Sequence, residues 1–433
     1  MSRIESTALL ETKRTPTEEA YGRFVPHQFL QLLERPNIVD VTLGDHVEQE
    51  MTLLFSDFRD FTALSESILP AENFRFINSY LSTMEPVVGR HQGFIDKYIG
   101  DAIMALFPAD ADDAVCCGID MLRELVTYNQ GRARAGYVPI RIGIGVNTGL
   151  VMLGTVGGHS RMDSTVIGDA VNQASRLENL TKLYRTPFLV SEHTLHALKN
   201  PGAYHIRFID RQKIKGRYPA QSMYEVFDAD PEPLRLAKLE TLPLFNEAIA
   251  CYLIGNAVDA IPLLEQCVQI APDDLPASVY LERCRGEQRK GNLSFTLRKI
   301  ELEWCDYFSV GSEGIDQHHR EILAEIGELA NAAESGRDVA SILFALAGHF
   351  RQHFDAEENL MRRYGYPFIN QHQRQHQVFC SAFAALGANI SAKKSSIIRQ
   401  RLDIQLHAAD RYINHISKSD AHLGHFLQRA GVS

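Results

Sequence analysis

Apolar and polar positions follow two different periods along this 433-residue chain, and the period changes near its middle. Residues 46–230 alternate short apolar runs such as MTLLFSD, which predict strands, with helically spaced segments such as FRFINSYLSTMEPVVGRH. Residues 231–433 show helical spacing almost throughout. The pattern therefore predicts a multidomain protein in which an α+β or α/β domain precedes all-α segments.

Breaks in these patterns divide the chain into four predicted regions. Residues 1–45 are a polar leader with one short helical pattern, and residues 46–230 are the mixed domain. Residues 231–300 form a helical segment. Residues 301–433 contain four helical patterns joined by short breaks, which predict an up-down four-helix bundle.

The helical segment 231–300 is similar to one tetratricopeptide-like unit. Gly255 and Asn256, and then a Pro-Asp-Asp break at 272–274, split it into a helical hairpin and a further helix. Because such repeats need about three copies to bury a core, a linker or dimerisation element is favoured over a peptide-binding array.

Composition and charge narrow the functional classes. The chain has 44 basic and 54 acidic residues and a net charge of −10, which argues against a dedicated nucleic-acid-binding protein. No apolar run approaches the roughly 18 residues of a membrane span, and the opening MSRIESTALLETKRTPTEEA lacks the apolar core of a signal peptide. The 7 cysteines are scattered, without a CxxC pair. These features predict a reduced, cytoplasmic protein without membrane or nucleic-acid partners.

Two aspartates at the ends of predicted strands are candidate cation ligands in the mixed domain. Asp57 follows the apolar run LLFS, and Asp101 lies in a predicted hairpin turn. If the two strands are neighbours, both carboxylates converge, which suits Mg²⁺ bound together with substrate phosphates. A lone aspartate at a strand end is more often a cap, so the argument depends on the whole set. The set is completed by residue types that phosphoryl transfer uses: Thr165, Asn172, Arg176 and Lys215.

Four separated motifs in this region resemble the catalytic domain of class III nucleotidyl cyclases. They are MTLLFSDFRDFTALSE, KYIGDAIMALF, VIGDAVNQASRLE and IKGR, in the family's order and spacing. The resemblance implies a ferredoxin-like βαββαβ core. It also implies a head-to-tail homodimer with two equivalent active sites, each built from both subunits, so that a monomer is inactive.

The same resemblance implies a role for each candidate residue. Asp57 and Asp101 would hold two Mg²⁺ or Mn²⁺ ions, which activate the ribose 3′-hydroxyl and neutralise the triphosphate. Lys97 and Thr165 would contact the purine edge, and Asn172 would position the ribose. Arg176 would stabilise charge in the transition state, and Lys215 would contact the phosphates.

The purine-reading pair favours ATP over GTP. Lys97 can donate to adenine N1, whereas guanylyl enzymes typically carry Glu and Cys at the positions of Lys97 and Thr165. A guanylate cyclase remains the alternative. Asp60 is an extra carboxylate in the loop expected to cradle phosphates; it could be a third cation contact or point to solvent, and solvent is favoured. A degenerate cyclase domain kept as a scaffold is disfavoured, because none of the expected catalytic residues is missing.

Histidines concentrate in the predicted bundle, and their spacing indicates a metal site. His353 and Glu357 are four residues apart, as are His372 and His376, so each pair shares one helix face. A lone helical histidine is more often a surface or core residue. A set of imidazoles and carboxylates converging from four helices, however, suits two iron ions.

This region resembles hemerythrin. EWCDYFSVGSEGIDQHH, HFDAEENLMRRYGYP, HQRQH and HISKSD follow that family's signature in order. The resemblance implies two irons bridged by Glu357 and Asp420, with an open position on one iron where O₂ or NO binds. The implied ligands are His319, His353, Glu357, His372, His376, His415 and Asp420.

Two further histidines near these ligands need separate assignments. The family's register favours His319 over the adjacent His318 as the ligand of the first helix. His349, one turn before His353, is predicted to lie on the polar face or behind the ligands.

The two resemblances together predict a cytoplasmic, homodimeric adenylate cyclase whose output is set by a di-iron domain that senses O₂, NO or redox state. The helical segment 231–300 would couple the two domains. Two alternatives stay open. One is an O₂- or iron-binding protein whose cyclase domain only dimerises, and the other is an active cyclase tethered to an iron domain without communication.

Overall fold

A computed structural model describes residues 21–22, 24–66, 68–158, 160–212, 221–289, 302, 304, 308–335, 339–392 and 396–432. Lys215 lies outside the described residues, as do residues 1–20 and 23 of the predicted leader. The chain divides into two compact units, one of residues 1–183 and 187–200 and the other of residues 184–186 and 201–433.

The first unit contains a sheet and the helices that connect its strands. Its strands are β1 (His46–Phe58), β2 (Phe94–Ile99), β3 (Ala102–Phe107), β4 (Ile142–Gly158), β5 (Arg161–Ile167) and β6 (Phe188–Ser191). Its helices are α1 (His27–Leu32), α2 (Phe61–Glu66), α3 (Pro70–Arg90), α4 (Ala111–Arg134), α5 (Asp169–Tyr184) and α6 (Glu192–Ala197).

The strand order confirms the ferredoxin-like core. The strands lie in the order β2-β3-β1-β4-β6, and β5 pairs with β4. The β1–β3, β1–β4 and β2–β3 pairs are antiparallel, whereas β6 runs parallel to β4. Because α3 connects β1 to β2 and α4 connects β3 to β4, the first four strands form the predicted βαββαβ arrangement.

Burial on both faces explains the continuous apolar runs of the central strands. Residues 51–56 of β1 and 103–107 of β3 are all buried, so neither strand shows the polar alternation of a half-exposed sheet. Glycine lets α5 pack closely on β4: a Cβ at Gly145 would lie 2.1 Å from the backbone nitrogen of Glu178. The IGIGV motif therefore fits a strand that a helix crosses at short range.

The second unit begins with a hairpin and three helices. The hairpin consists of β7 (Ile206–Gln212) and β8 (Gln221–Val226), and the helices are α7 (Glu232–Leu253), α8 (Ala257–Ile270) and α9 (Leu275–Arg289). A buried ion network fixes the hairpin to the helices. Arg207 of β7 contacts Asp274 at 2.6 Å and Glu225 of β8 at 2.5 Å, and Lys238 of α7 contacts Glu225 at 2.9 Å.

The remaining helices of this unit form the predicted bundle. Three of its helices are α10 (Glu313–Ser335), α11 (Val339–Tyr364) and α12 (Ile369–Ser391). The fourth, which we call the last helix, is continuous from Ile397 to Arg429. It consists of α13 (Ile397–Ile404), a π-helical segment (Gln405–Asp410), α14 (Arg411–His415), a second π-helical segment (Ile416–Asp420) and α15 (Ala421–Arg429).

The order of apolar clusters along each helix confirms that the bundle is up-down. The bundle contains a larger apolar cluster, which includes Phe350 and Phe383, and a smaller one, which includes Met361 and Leu423. On α11, Phe350 precedes the predicted ligands and Met361 follows them. On α12 the order is reversed, and Phe383 of the larger cluster comes last. The last helix again runs from the larger cluster to the smaller one. The predicted ligands therefore lie in a layer between two apolar layers. Among the described residues, no helix combines the length and apolarity that crossing a bilayer requires.

Candidate active site and metal centre

The two candidate cation ligands of the first unit converge. Asp57 lies near the end of β1, and Asp101 lies in the turn between β2 and β3, next to β1 in the sheet. Burial and the neighbouring Asp57 charge raise the pKa of Asp101 to about 6. Lys182 of α5 donates to Asp57 Oδ2 at 3.2 Å. Two close carboxylates balanced by a single ammonium group are a suitable set of ligands for a hard divalent cation.

Arg59, which directly follows β1, makes a second connection to α5. Arg59 donates to the Thr181 hydroxyl and lies 3.7 Å from the Glu178 carboxylate. Burial, with a contribution from Asp57, raises the pKa of Glu178 to about 7. Sequence reasoning missed Lys182 and Glu178. The available signal was their position on the same helix as the predicted catalytic residues, six and two residues after Arg176.

The predicted purine-reading residues form a pair. Lys97 of β2 donates to the Thr165 hydroxyl of β5 at 3.0 Å and lies 3.4 Å from the Ser164 carbonyl oxygen. Both side chains are partly buried. Asn172 and Arg176 lie on α5 and are exposed. The structure therefore places these four residues and the two aspartates in the first unit.

Asp60 differs from the other carboxylates of this region. Its side chain is 77% exposed and pairs with Arg141 at 3.1 Å. Its exposure and its pairing with a surface arginine agree with a side chain that points to solvent.

All seven predicted iron ligands converge in the bundle, and each is buried. The ligands form two groups that share Glu357, and within each group the ligand atoms all lie within 4.8 Å of one another. One group contains Glu357 with His372, His376 and His415, and the other contains Glu357 with His319, His353 and Asp420. We call these the three-histidine group and the two-histidine group. His318 lies outside both groups and is only partly buried.

The two carboxylates each face both groups. Asp420 Oδ1 lies 3.0 Å from the Nε2 atoms of His372 and His415, whereas Oδ2 lies 3.2 Å from His319 Nε2. Glu357 Oε2 lies 3.1 Å from His376 Nε2, and Oε1 lies 3.7 Å from His353 Nε2. One oxygen of each carboxylate therefore faces each group, which is the arrangement that bridging of two cations requires.

The π-helical segment explains how His415 and Asp420 come together. In an α-helix, five residues correspond to a rotation of about 140°, so these side chains would point apart. The i→i+5 hydrogen bonding of a π-helix widens each turn and brings residues five apart onto one face. The structure has this winding at Ile416–Asp420, and His415 Nε2 lies 3.0 Å from Asp420 Oδ1.

Electrostatics and unsatisfied atoms show that this layer fits bound cations. Burial lowers the pKa of His376, whereas the adjacent Asp420 and Glu357 carboxylates outweigh burial at His415 and raise its pKa to about 10. Several buried side-chain atoms of the described residues make no hydrogen bond, and four of them belong to the two-histidine group: His319 Nε2, His353 Nε2, Glu357 Oε1 and Asp420 Oδ2. Unsatisfied buried polar atoms are costly. A cation in the two-histidine group would satisfy these atoms.

Glu358 is a functional candidate that sequence reasoning missed. Its Oε1 accepts from His376 Nδ1 at 3.2 Å, and its Oε2 accepts from Gln373 at 2.6 Å. A carboxylate behind a metal-binding histidine fixes the ring and its tautomer. The consecutive glutamates of HFDAEEN were the available signal. His349 lies outside the cluster and pairs with Glu325 at 2.6 Å on a half-exposed surface.

Comparison with known proteins agrees with this geometry. Residues 45–227 match the adenylate and guanylate cyclase catalytic domain, and residues 310–427 match the hemerythrin HHE cation-binding domain. The chain is 36% identical over 273 residues to a terminal-differentiation-specific adenylate cyclase of Dictyostelium discoideum, which covers 62% of this chain and 13% of that protein.

Two further similarities concern adenylate cyclases of bacteria. An adenylate cyclase of Anabaena cylindrica is 43% identical over 220 residues, which covers 49% of this chain and 44% of that protein. The adenylyl cyclase CyaB from P. aeruginosa has a solved structure with 33% identity and a TM-score of 0.38, over 42% of this chain and 96% of that one. The chain spans less than half the length of the two curated relatives. Residues 45–227 belong to the adenylate and guanylate cyclase catalytic domain family, and residues 310–427 belong to the hemerythrin HHE cation-binding domain family.

Proposed function

We propose that this protein is an adenylate cyclase, which converts ATP to 3′,5′-cyclic AMP and diphosphate. The observation that carries the proposal is the convergence of Asp57, near the end of β1, and Asp101, in the β2–β3 turn, in a cyclase-type sheet. Two Mg²⁺ or Mn²⁺ ions bound there would lower the pKa of the ribose 3′-hydroxyl and neutralise the triphosphate. Asp57 and Asp101 would hold these ions, and Lys215, which lies outside the described residues, would contact the phosphates.

The Lys97–Thr165 pair supports ATP as the substrate. Adenine presents an acceptor at N1 and an amino donor at N6. Lys97 supplies a donor, and the Thr165 hydroxyl, 3.0 Å from it, can accept from the amino group. A guanylate cyclase is the alternative, and parallel turnover of ATP and GTP distinguishes the two.

The exposed positions of Asn172 and Arg176 support a homodimer. Both side chains are open to solvent on α5, so a second copy can use them to complete its active site. In this arrangement Asn172 positions the ribose, and Arg176 stabilises the charge that develops in the transition state.

We further propose that the bundle binds two iron ions and regulates the cyclase in response to O₂, NO or redox state. The ligand set supports this proposal. If Glu357 and Asp420 both bridge, one ion would have three further histidine ligands and the other only two, so the second ion would have fewer protein ligands. That ion can accept an exogenous ligand. The helical segment 231–300 would lie between the two functions, and a nucleotide substrate fits a cytoplasmic protein.

Cyclic AMP formation from ATP by the iron-loaded full-length protein tests the proposal. We expect turnover in the wild type and none in Asp101→Asn, which keeps the shape of the side chain and removes its charge. The iron content and the optical spectrum of Asp101→Asn should be unchanged. A wild type that binds iron but forms no cyclic nucleotide from ATP or GTP would support an iron-binding protein with a cyclase-type scaffold instead.

A further inference from the structure

A buried ion pair connects the β7–β8 hairpin to the last helix inside the second unit. Arg211 Nη2 donates to Asp410 Oδ1 at 2.6 Å, and Arg211 Nε donates to Asp410 Oδ2. Asp410 is 0% exposed and Arg211 is 25% exposed. Arg211 belongs to the residues that match the cyclase family, and Asp410 belongs to those that match the hemerythrin family. The pair therefore connects the two family regions directly, without the helical segment between them.

The pair is held on both sides. Gln405 of the last helix donates to Asp410 Oδ1 at 2.6 Å, and the Arg211 backbone N–H donates to the carboxylate of Asp210 at 2.7 Å. A bidentate arginine–carboxylate contact fixes both distance and orientation. Because loss of one partner leaves an uncompensated buried charge, the contact strongly favours one alignment of β7 against the last helix.

The last helix places Asp410 and the metal ligands in one repeating pattern. Gln405, Asp410, His415 and Asp420 are spaced five residues apart. Two of these three intervals are π-helical, and in each of them the residues at the two ends are in contact. Gln405 contacts Asp410 at 2.6 Å, and His415 contacts Asp420 at 3.0 Å. π-helical turns are rare and occur frequently at functional sites.

The winding of this helix sets the relative positions of the two metal ligands that it carries. Cations held by His415 and Asp420 favour the π-wound form, because α winding would turn these two side chains apart. A change of winding between residues 416 and 420 would rotate the helix that precedes it. Asp410 lies on that preceding part and is clamped by Arg211.

We propose that the Arg211–Asp410 ion pair transmits the state of the metal centre from the last helix to strand β7. This inference rests on the proposed function, since it explains how the metal centre regulates the cyclase. Arg211 and Asp410 act as positioning residues, and neither contacts the substrate or the cations. A second contact of the last helix, from the Ser396 hydroxyl to Glu247 Oε1 at 2.5 Å, is exposed and provides a matched control.

Hydrogen–deuterium exchange of full-length protein, iron-loaded and iron-free, tests the proposal without relying on activity. In the wild type, iron should slow amide exchange in β7 as well as in the bundle. Asp410→Asn should reduce the effect on β7. The double variant Arg211→Met with Asp410→Leu, which replaces the ion pair by an apolar contact, should abolish it. Both variants should retain iron and its spectrum, and Glu247→Gln should behave as the wild type.

The same proteins give a second readout, the rate of cyclic AMP formation. This rate is compared between a sample kept anaerobic and reduced and a sample exposed to O₂. We expect the ratio of the two rates to fall to within about twofold of unity in the double variant and to keep its wild-type value in Glu247→Gln. Slowed exchange of β7 that persists in the double variant, or no slowing in the wild type, would overturn the proposal. If exchange follows the prediction but no sample forms cyclic nucleotide, the proposed function is wrong and the physical connection stands.

Discussion

Proton competition at Asp101 predicts how cation binding to the first unit depends on pH. Burial and the charge of Asp57 raise the pKa of Asp101 from an ordinary value of 3.8 to about 6. A divalent cation binds the ionised carboxylate, so protons compete with it. The apparent dissociation constant therefore scales with 1 + 10^(6 − pH), which is about 1.1 at pH 7 and about 11 at pH 5. An ordinary carboxylate would weaken binding by less than about 10% over the same range.

The measurement is Mn²⁺ binding without nucleotide, followed by electron paramagnetic resonance between pH 5 and pH 8. Leaving out nucleotide removes the titration of the triphosphate itself. We expect affinity to fall about tenfold from pH 7 to pH 5. Glu178→Gln is the control, because it removes the neighbouring carboxyl whose pKa is about 7 and keeps both ligands. An affinity that stays constant down to pH 5 would refute the coupling between the two aspartates.

Folding stability depends on pH in the opposite direction to cation affinity. A carboxyl whose pKa is raised in the folded protein binds protons more tightly there than in the unfolded chain. In the cation-free protein, the stability that Asp101 contributes is fully present below about pH 3.8 and is lost as the pH rises through about 6. A bound cation removes this dependence at neutral pH, because it stabilises the ionised form.

Three substitutions test other parts of the structure. Tyr412→Phe should raise the unfolding free energy of the metal-free protein by about 1 kcal/mol in denaturant titrations, because the buried hydroxyl makes no hydrogen bond within the described chain; a loss of stability would contradict this. Glu358→Gln should weaken iron binding by about 10- to 100-fold in chelator competition, because Glu358 orients His376, and unchanged affinity would exclude that role. Gly145→Ala should lower the unfolding free energy by about 1–3 kcal/mol or more in denaturant titrations, because its Cβ would lie 2.1 Å from a backbone nitrogen of α5. Gly89→Ala is the control and should be tolerated, because nothing lies within 4 Å of a Cβ there.

The periodicity of the sequence predicted both fold classes, because strands and amphipathic helices record burial directly. The alternation within 46–230 predicted the α+β domain, and helical spacing predicted the bundle. The pairs His353/Glu357 and His372/His376 followed from α-helical spacing alone. The last two ligands could not be predicted in this way, because His415 and Asp420 share a face only on a π-wound helix.

Long-range contacts account for the rest of what the sequence did not reveal. Arg211 and Asp410 are 199 residues apart, and neither belongs to a motif. Lys182 pairs with Asp57 across 125 residues, so its role beside the cation ligands depends on the sheet being formed. Glu358 was adjacent to a predicted ligand, but which of two consecutive glutamates faces the cations is decided by the rotation of α11.

If a di-iron bundle sets the rate of an adenylate cyclase in this protein, that rate must depend on the state of the iron. The most direct test is cyclic AMP formation from ATP by one iron-loaded preparation, half kept anaerobic and reduced and half exposed to O₂, with absorption spectra recorded alongside. We predict a difference in rate between the two halves that disappears in His372→Ala, a ligand of the three-histidine group. Equal rates in the two halves, with a spectrum that still changes on exposure to O₂, would contradict the account.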